Sequence, residues 1–514
     1  MGRPVTAAEI FAAGRTLEAD YARAGYVLVR VLAPPQTLTD GAAVRLVVLD
    51  GRIESVDAEA VPPAVRARVR AVLEPLIGVQ GVTLAMLERR LLLAGDTPGA
   101  ILRSALRAGT SPGASVLVVE ARYKPVTGSV YADNTIPASL GGYSAGLGLE
   151  INSPTGHGEL IYLRTGGDLS PSGDGRDDGV FAARPRNRSL ALGLVLPIGP
   201  DGLSLSVEGV DARTTPRVEA GGLSLSSRFQ RLSTRLRYPV VRSRAYTLSI
   251  EGGFDAQDER VEAIAPVQVE LSHDVLRVAR FGADLSRALP GGGGLRASLG
   301  ASFGIDGLGA RAAPPADSFD TPLSRQGARP EFRKLEAAID LSRSLAPHLD
   351  VTFRARGQTA FGAALPGAEQ IGLAGPDGLS SLDSGLLQGE AGYVARGELR
   401  FPFVSGFTLP FALADLPAQQ GAGLPTGDTA VGIVVSPYVF VAHGQTWLDQ
   451  PTALEFGSTR GTAWGVGVRF GAAARSRFSG LSASLEYGRA EISEAIPGQE
   501  PDSDRVTATL SLAF

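Results

Sequence analysis

The 514-residue sequence contains no cysteine, which removes disulfide frameworks, thiolate metal sites and cysteine nucleophiles. Its four histidines, His157, His273, His348 and His443, lie far apart, with no i,i+4 pair and no acidic cluster beside them, so no metal site is expected. Lysine is almost missing: Lys124 and Lys334 are the only two, a bias we read as compositional before functional. No basic block stands alone, because 49 basic residues are interspersed with 53 acidic ones for a net charge of −4. A nucleic-acid partner is therefore not expected. No apolar run approaches the ~18 residues of a membrane-spanning helix; the longest candidates are short stretches such as Leu190–Leu196. That leaves open the other spanning structure, a closed barrel of short alternating strands.

What is present excludes more. Hydrophobic residues make up 44 % and charged ones 20 %, too apolar for disorder, and the 65 glycines have no three-residue period. The length exceeds what one hydrophobic core usually serves, so several domains or one large closed architecture are needed. Met1 is followed by Gly2, Arg3 and Pro4 without the pattern of a signal peptide; either the chain is cytosolic or its true start lies upstream.

Residues 1–124 carry helical and strand signals in alternation. Ile10, Phe11, Leu17 and Tyr21 recur at helical spacing, with Thr6 as N-cap, Glu9 three residues on and Gly25 as the stop. Tyr26–Leu32 and Val44–Leu49 alternate as strands, Asp50–Gly51 signals a hairpin, and Arg52–Val56 is a third strand. Pro62 and Pro63 open a helix to about Pro75, Thr83–Leu93 carries another, and Ala100–Leu106 and Ser115–Tyr123 alternate. The simplest parse is two small α+β modules, 1–58 and 59–124, whose strand edges suit peptides received by strand addition.

From about Thr127 the helical period disappears. In Arg296–Phe303 one face holds Ala297, Leu299, Ala301 and Phe303, and the other Arg296, Ser298, Gly300 and Ser302. In Gln230–Tyr238 the apolar face is Leu232, Leu236 and Tyr238, against Arg231, Ser233, Arg235 and Arg237. Val351, Phe353, Ala355 and Phe361 likewise oppose Arg354 and Arg356. Many of these alternations run about nine to fourteen residues, longer than sandwich strands and long enough to cross a membrane tilted. Seventeen segments lie between 127–134 and 504–514; fusing 349–361 with 367–374 as one bent strand leaves an all-β transmembrane barrel of about sixteen antiparallel strands over 125–514. The last strand ends on Phe514, with Val506, Ala508, Leu510 and Leu512 on its face, like the sorting signal of outer-membrane barrels.

Three motifs mislead. Gly142–Tyr143–Ser144–Ala145–Gly146 spells a nucleophile elbow, which needs a strand, a sharp turn and a helix, but it sits within an alternating β segment. A serine hydrolase would require labelling of Ser144 by a phosphonate probe. Gly291–Gly294 lacks the Gly-Lys-Ser/Thr of a phosphate loop, and Gly199–Pro200–Asp201–Gly202 is a tight turn.

With this parse the sequence resembles the outer-membrane transporters of two-partner secretion, the hemolysin secretion/activation (TpsB) family, with two periplasmic POTRA modules and a sixteen-stranded barrel. In the first module Tyr21, Gly25–Tyr26, Pro35–Gln36, Gly41 and Gly51 with Ile53 follow the family pattern; in the second, Leu87–Glu88–Arg89, Leu92, Pro98–Gly99, Gly109, Gly113 and Leu117 do. Ala132–Asp133–Asn134, then Asn152, Pro154, Gly156 and Gly158–Glu159, match the start of the barrel. The family's first module normally begins with a strand, preceded by a plug helix and signal peptide, so the resemblance implies a truncated start. It also implies a loop, here about 373–391, that folds back into the barrel carrying a V-R-G-Y motif. This chain keeps Gly375–Pro376, reads Leu379–Ser380–Ser381–Leu382 before Asp383, and resumes with Gly389–Glu390, Gly392–Tyr393, Arg396 and Glu398–Leu399. Ser380 replaces the motif arginine. The aspartate that holds it, in an F-x-D-x-G strand, is replaced by Ala442 within Phe440–Val441–Ala442–His443–Gly444. Removing one partner of such a pair strands a charge at several kcal/mol, whereas removing both can be nearly neutral, so an altered lock is expected around Ser380, Asp383 and His443. Arg396 and Glu398 are either a lumen pair or solvated charges.

The resemblance implies a non-enzymatic translocator in the bacterial outer membrane, without cofactor. Its modules would take an unfolded β-helical exoprotein in the periplasm, and the lumen would conduct it out, driven by folding outside. The implied partners are that exoprotein, the barrel-insertion machinery and the lipid bilayer, with the chain itself a monomer. The alternatives are a passive porin-like channel or an outer-membrane assembly factor with a diverged lumen lock.

Overall fold

A computed structural model describes residues 6–37, 43–168, 179–218, 222–315, 317–408, 430–453, 455–474, 479–493 and 502–514. The first helix, α1 (Ala7–Arg23), starts where its cap dictates: the Thr6 side chain accepts from the Glu9 N–H while Glu9 reaches back to the Thr6 N–H at 2.8 Å. β1 (Arg30–Leu32) and β2 (Val47–Leu49) form an antiparallel pair beside it. Only the last three residues of the alternating stretch from Tyr26 are strand.

The strand expected to close this module does not. β3 (Arg52–Asp57) lies parallel to β5 (Ala114–Tyr123), which also pairs antiparallel with β4 (Ala100–Ala108). Ile53 explains this, because its fully buried side chain joins the core built under α2 (Pro63–Leu73) and α3 (Leu84–Gly95) by Val65, Val69, Val72 and Leu117. Asp50–Gly51 therefore turns the chain between modules instead of closing a hairpin. A side chain at Gly51 would collide with the Leu28 carbonyl.

The barrel strands follow as β6 (Val126–Asp133), β7 (Ser144–Asn152), β8 (Leu160–Gly167), β9 (Asn187–Ile198), β10 (Leu203–Thr214) and β11 (Ser224–Arg242). Next come β12 (Tyr246–Ala265), β13 (Val269–Ala288), β14 (Gly294–Gly304), β15 (Arg333–Ala346) and β16 (Leu349–Thr359). The pair β17 (Ile371–Gly372) and β18 (Gln388–Gly389) stands apart from the wall. The wall resumes with β19 (Ala391–Arg400), β20 (Phe403–Thr408), β21 (Ala430–Trp447), β22 (Ser458–Ala474), β23 (Gly480–Ile492) and β24 (Asp502–Ala513). β24 pairs back onto β6 and closes an antiparallel barrel. β19 and β20 both pair with β21, so they are one stave broken at Phe401–Pro402, where proline has no N–H to give the ladder, and the wall has sixteen staves. The bent strand is thus 391–408. Segment 367–374 is no part of 349–361; after Pro366 it turns inward as a 3₁₀ turn, Gly367–Glu369, leading into β17.

Side chains alternate as lipid and water require. Leu190, Leu192, Leu196 and Ile198 on β9, Leu232 and Leu236 on β11, and Phe281, Leu299 and Phe353 further round are exposed outward. Arg235, between Thr234 and Leu236, points inward to the fully buried Asp255 at 2.6 Å. The outward run from Leu190 to Ile198 covers about 26 Å along the strand, which at the usual barrel tilt is about 20 Å of height and most of a bilayer's apolar band. Tight turns such as 199–202, 243–245, 289–293 and 347–348 sit at one end, and long loops such as 305–332 and 360–390 at the other. The second module docks on the tight-turn end: Arg68 donates to the Gly199 carbonyl at 2.8 Å, Arg89 to Pro239 at 2.9 Å, Arg90 meets Asp201 at 2.8 Å and Asp96 meets Arg242 at 2.6 Å.

Candidate functional site: the occupied lumen

The segment between β16 and β19 enters the barrel and packs on its inner wall. Leu373, Leu379, Leu382 and Leu387 from the loop form one apolar cluster with Val394, Tyr438, Phe440, Ala442, Ala463 and Ala490 from β19, β21, β22 and β23. Gly444 has no side chain because the Leu373 methyl approaches to 3.0 Å of where a Cβ would stand.

Polar contacts then fix the loop tip. Arg396, 1 % exposed, donates to the Ser380 hydroxyl at 2.6 Å and to the Gly378 carbonyl at 3.4 Å. The same guanidinium binds Glu398 at 2.8 Å and Glu486 at 2.5 Å, and lies 3.8 Å over the Phe440 ring. Ser380 in turn donates to Glu486, and Tyr438 donates to the other oxygen of that carboxylate at 2.6 Å. Arg469 closes the group by gripping Glu398 at 2.6 and 2.8 Å. Two arginines meet two glutamates, so the cluster is neutral and its ions are mutually hydrogen-bonded, the condition under which buried charge is tolerated.

All four charges belong to the wall. The loop contributes a hydroxyl and carbonyls, with Thr507 donating to the Ser380 carbonyl at 3.2 Å. Ala442 faces inward without an acid, and the carboxylate that serves the loop is Glu486, two strands away. Tyr438 and Phe440 can lie across because the inward positions of β22 are Ala463, Gly465 and Gly467; a Cβ at Gly467 would strike the Tyr438 ring at 2.5 Å. Arg396 and Glu398 are therefore not solvated charges.

His443 takes no part. It faces outward, with Nδ1 2.8 Å from the Thr462 hydroxyl and its ring beside Tyr393, because residue 443 has the opposite parity to Ala442 and Gly444. Asp383 pairs with Arg505 of β24. Ser381 is buried, and its hydroxyl has no partner among the described residues.

Two anchors had no sequence signal. Glu369, in the 3₁₀ turn, is buried between Arg280 at 2.6 Å, Lys334 at 3.0 Å and Gln257 at 2.9 Å. At the long-loop end Arg325 binds Glu390 at 2.9 Å, Glu455 at 2.7 Å and the Asp449 carbonyl at 3.0 Å, tying three loops together.

The remaining expected positions fall in the modules and at the seam. The Tyr26 ring lies edge-on to Tyr21, and Gln36 bonds the Arg45 N–H and carbonyl, each at 2.9 Å. Glu88 faces Arg244 at 3.5 Å. Gly99, at φ +70°, passes so close to the Lys124 carbonyl and Asn152 that no side chain fits, which makes it the joint between module and barrel. Phe514 exchanges two 2.9 Å backbone bonds with Gly128 where β24 meets β6. Gly41 lies outside the described residues. Ser144 opens β7, a strand followed by another strand, so the elbow geometry is missing there.

A model of the "Haemolysin secretion/activation protein ShlB/FhaC/HecB" family matches residues 113–437, and a "POTRA domain, ShlB-type" model matches 1–51. Among solved structures, CdiB from Escherichia coli superposes with a TM-score of 0.71 at 19 % identity, covering 99 % of this chain and 85 % of that one. CdiB from Acinetobacter baumannii gives 0.62 at 15 %, covering 100 % and 83 %. BamA from Haemophilus ducreyi lacking POTRA domains 1–3 gives 0.52 at 13 %, covering 100 % and 95 %. No curated protein matches the sequence. A match over more than half the chain, on a closed barrel carrying POTRA-type elements, means that the chain belongs to the haemolysin secretion/activation protein family, the outer-membrane transporters of two-partner secretion.

Proposed function

We propose that this chain receives an unfolded β-helical exoprotein at its periplasmic modules and passes it outward through the barrel when the loop 373–391 gives way. The observation that carries this reading is the occupied lumen, in which a loop from the long-loop end is clamped by wall charges. A passive channel has no use for such a clamp. β4 leaves one backbone edge unpaired among the described residues, and β1 and β2 likewise, which supports capture by strand addition. Paired, alternating lumen charges would let a polar unfolded chain slide without a deep electrostatic trap. Folding outside would give direction. Phe514, at the closing seam, is the residue we assign to recognition by the insertion machinery, with the barrel acting as a monomer.

Export settles the matter. The full-length gene is expressed with and without a neighbouring large β-helical exoprotein, and the medium is assayed for it. Export that is abolished by deleting residues 1–124, with the barrel still inserted, is expected. Equal export without those residues would contradict the reading.

A further inference from the structure

The outward face of β9–β13 carries a groove that secretion does not use. It has a volume of about 470 Å³, and its apolar floor is Leu192, Gly209, Leu232 and Ala256. Gly209 makes it: a Cβ there would meet nothing within 4 Å, so the face stands open between Leu192 and Leu232.

The rim is of a different kind. One residue pair above Gly209, Asp211 holds Arg213 at 3.0 Å, Arg228 at 2.9 Å and Arg188 at 3.5 Å, three cations on one carboxylate. Across the groove Arg277 donates to the carbonyls of Leu276 at 2.8 Å and Leu308 at 3.0 Å and meets no carboxylate among the described residues. Asp258 pairs with Arg260 at 3.3 Å, so five arginines face two aspartates at this level. The level itself is informative. It borders the apolar band at the end opposite the modules, where the headgroups of the outer leaflet lie.

We propose that this groove binds one phosphorylated glycolipid of the outer leaflet, an acyl chain lying over Gly209 between Leu192 and Leu232 and two phosphates held apart, one by Arg228 beside Asp211 and the other by Arg277 two strands along. The surplus positive charge complements the phosphates, and planar guanidinium groups suit their oxygens. Continuity of the floor with the lipid-facing belt selects a lipid over a soluble anion.

The full chain in detergent micelles is titrated with diphosphoryl lipid A, with its dephosphorylated form and with inorganic phosphate, and bound lipid is read by native mass spectrometry. One retained lipid A is expected, with the dephosphorylated form about tenfold weaker and no displacement by free phosphate. Arg228→Gln with Arg277→Gln should weaken retention by about tenfold, as dephosphorylation does, because it removes the same phosphate contacts from the other side. Gly209→Leu keeps every charge and adds apolar surface where lipid already lies, so it should insert normally and still lose the lipid. Heat-modifiable migration of the barrel reports folding, and if the arginine variant fails it, Gly209→Leu decides. Equal binding of the dephosphorylated lipid, displacement by phosphate, or a Gly209→Leu chain that retains lipid like the parent would overturn the proposal.

Discussion

Ser380 places a neutral hydroxyl between Arg396 and Glu486, so at this cluster the loop contributes no charge and the wall's two arginines and two glutamates keep one another as partners, while the loop's own charged contacts, Asp383 with Arg505 and Asp377 with Arg354, lie outside it. That arrangement ranks the substitutions. Ser380→Ala removes hydrogen bonds to charged partners and should cost about 1.5–3 kcal/mol. Arg396→Met strips Glu486 of its cation and should cost about 3–5 kcal/mol. Combining Arg396→Met with Glu486→Gln should cost less than the sum of the two single changes, because neither charge is then orphaned. Thermal unfolding in detergent checks the order, and a Ser380→Ala loss equal to that of Arg396→Met would refute it. Arg396 and Glu398 stand out in the sequence through the family resemblance, which leaves them as either a lumen pair or two solvated charges. Glu486 and Arg469 do not, since their partnership depends on strand register across β21, β22 and β23 and on the small inward residues Ala463, Gly465 and Gly467. His443 misleads for the opposite reason: it sits beside the right positions in sequence but one residue off in parity.

At the level of elements, the staves were readable because each must present apolar groups to lipid and polar groups to water at period two. The inward-turning segment 367–374 alternates too, and only its position after Pro366 separates it from a stave. β3 joins the sheet of the second module, which the sequence does not foretell, because a turn signal at Asp50–Gly51 shows that the chain bends without showing which sheet receives it. The joints between elements give two predictions. Gly99→Ala forces a side chain into left-handed backbone at about 1–2 kcal/mol and pushes on the Lys124 carbonyl. Hydrogen exchange should rise in residues 96–125 while the barrel's Tm stays put; unchanged exchange would show that the joint is not tight. Arg325→Ala leaves the fully buried Glu390 without its cation, a loss of about 3–5 kcal/mol felt by the loops it ties. Faster exchange in 448–453 and 367–372 is expected, and parental protection there would contradict the latch.

For the molecule as a whole, a neutral clamp inside a closed barrel, with the second module docked at the tight-turn end, makes one coherent device only if the lumen is the route of export. The lack of cysteine allows this to be tested without background. A Cβ built on Gly488 falls against the Ser381 hydroxyl, which bonds nothing among the described residues, so Ser381→Cys with Gly488→Cys places two thiols within disulfide reach of each other, one on the loop and one on the wall. The decisive measurement is exoprotein release by cells carrying this pair, before and after reductant. The account predicts release abolished by oxidation and restored on reduction, with release by neither single cysteine responding to oxidant or reductant; undiminished release from fully crosslinked protein would contradict it.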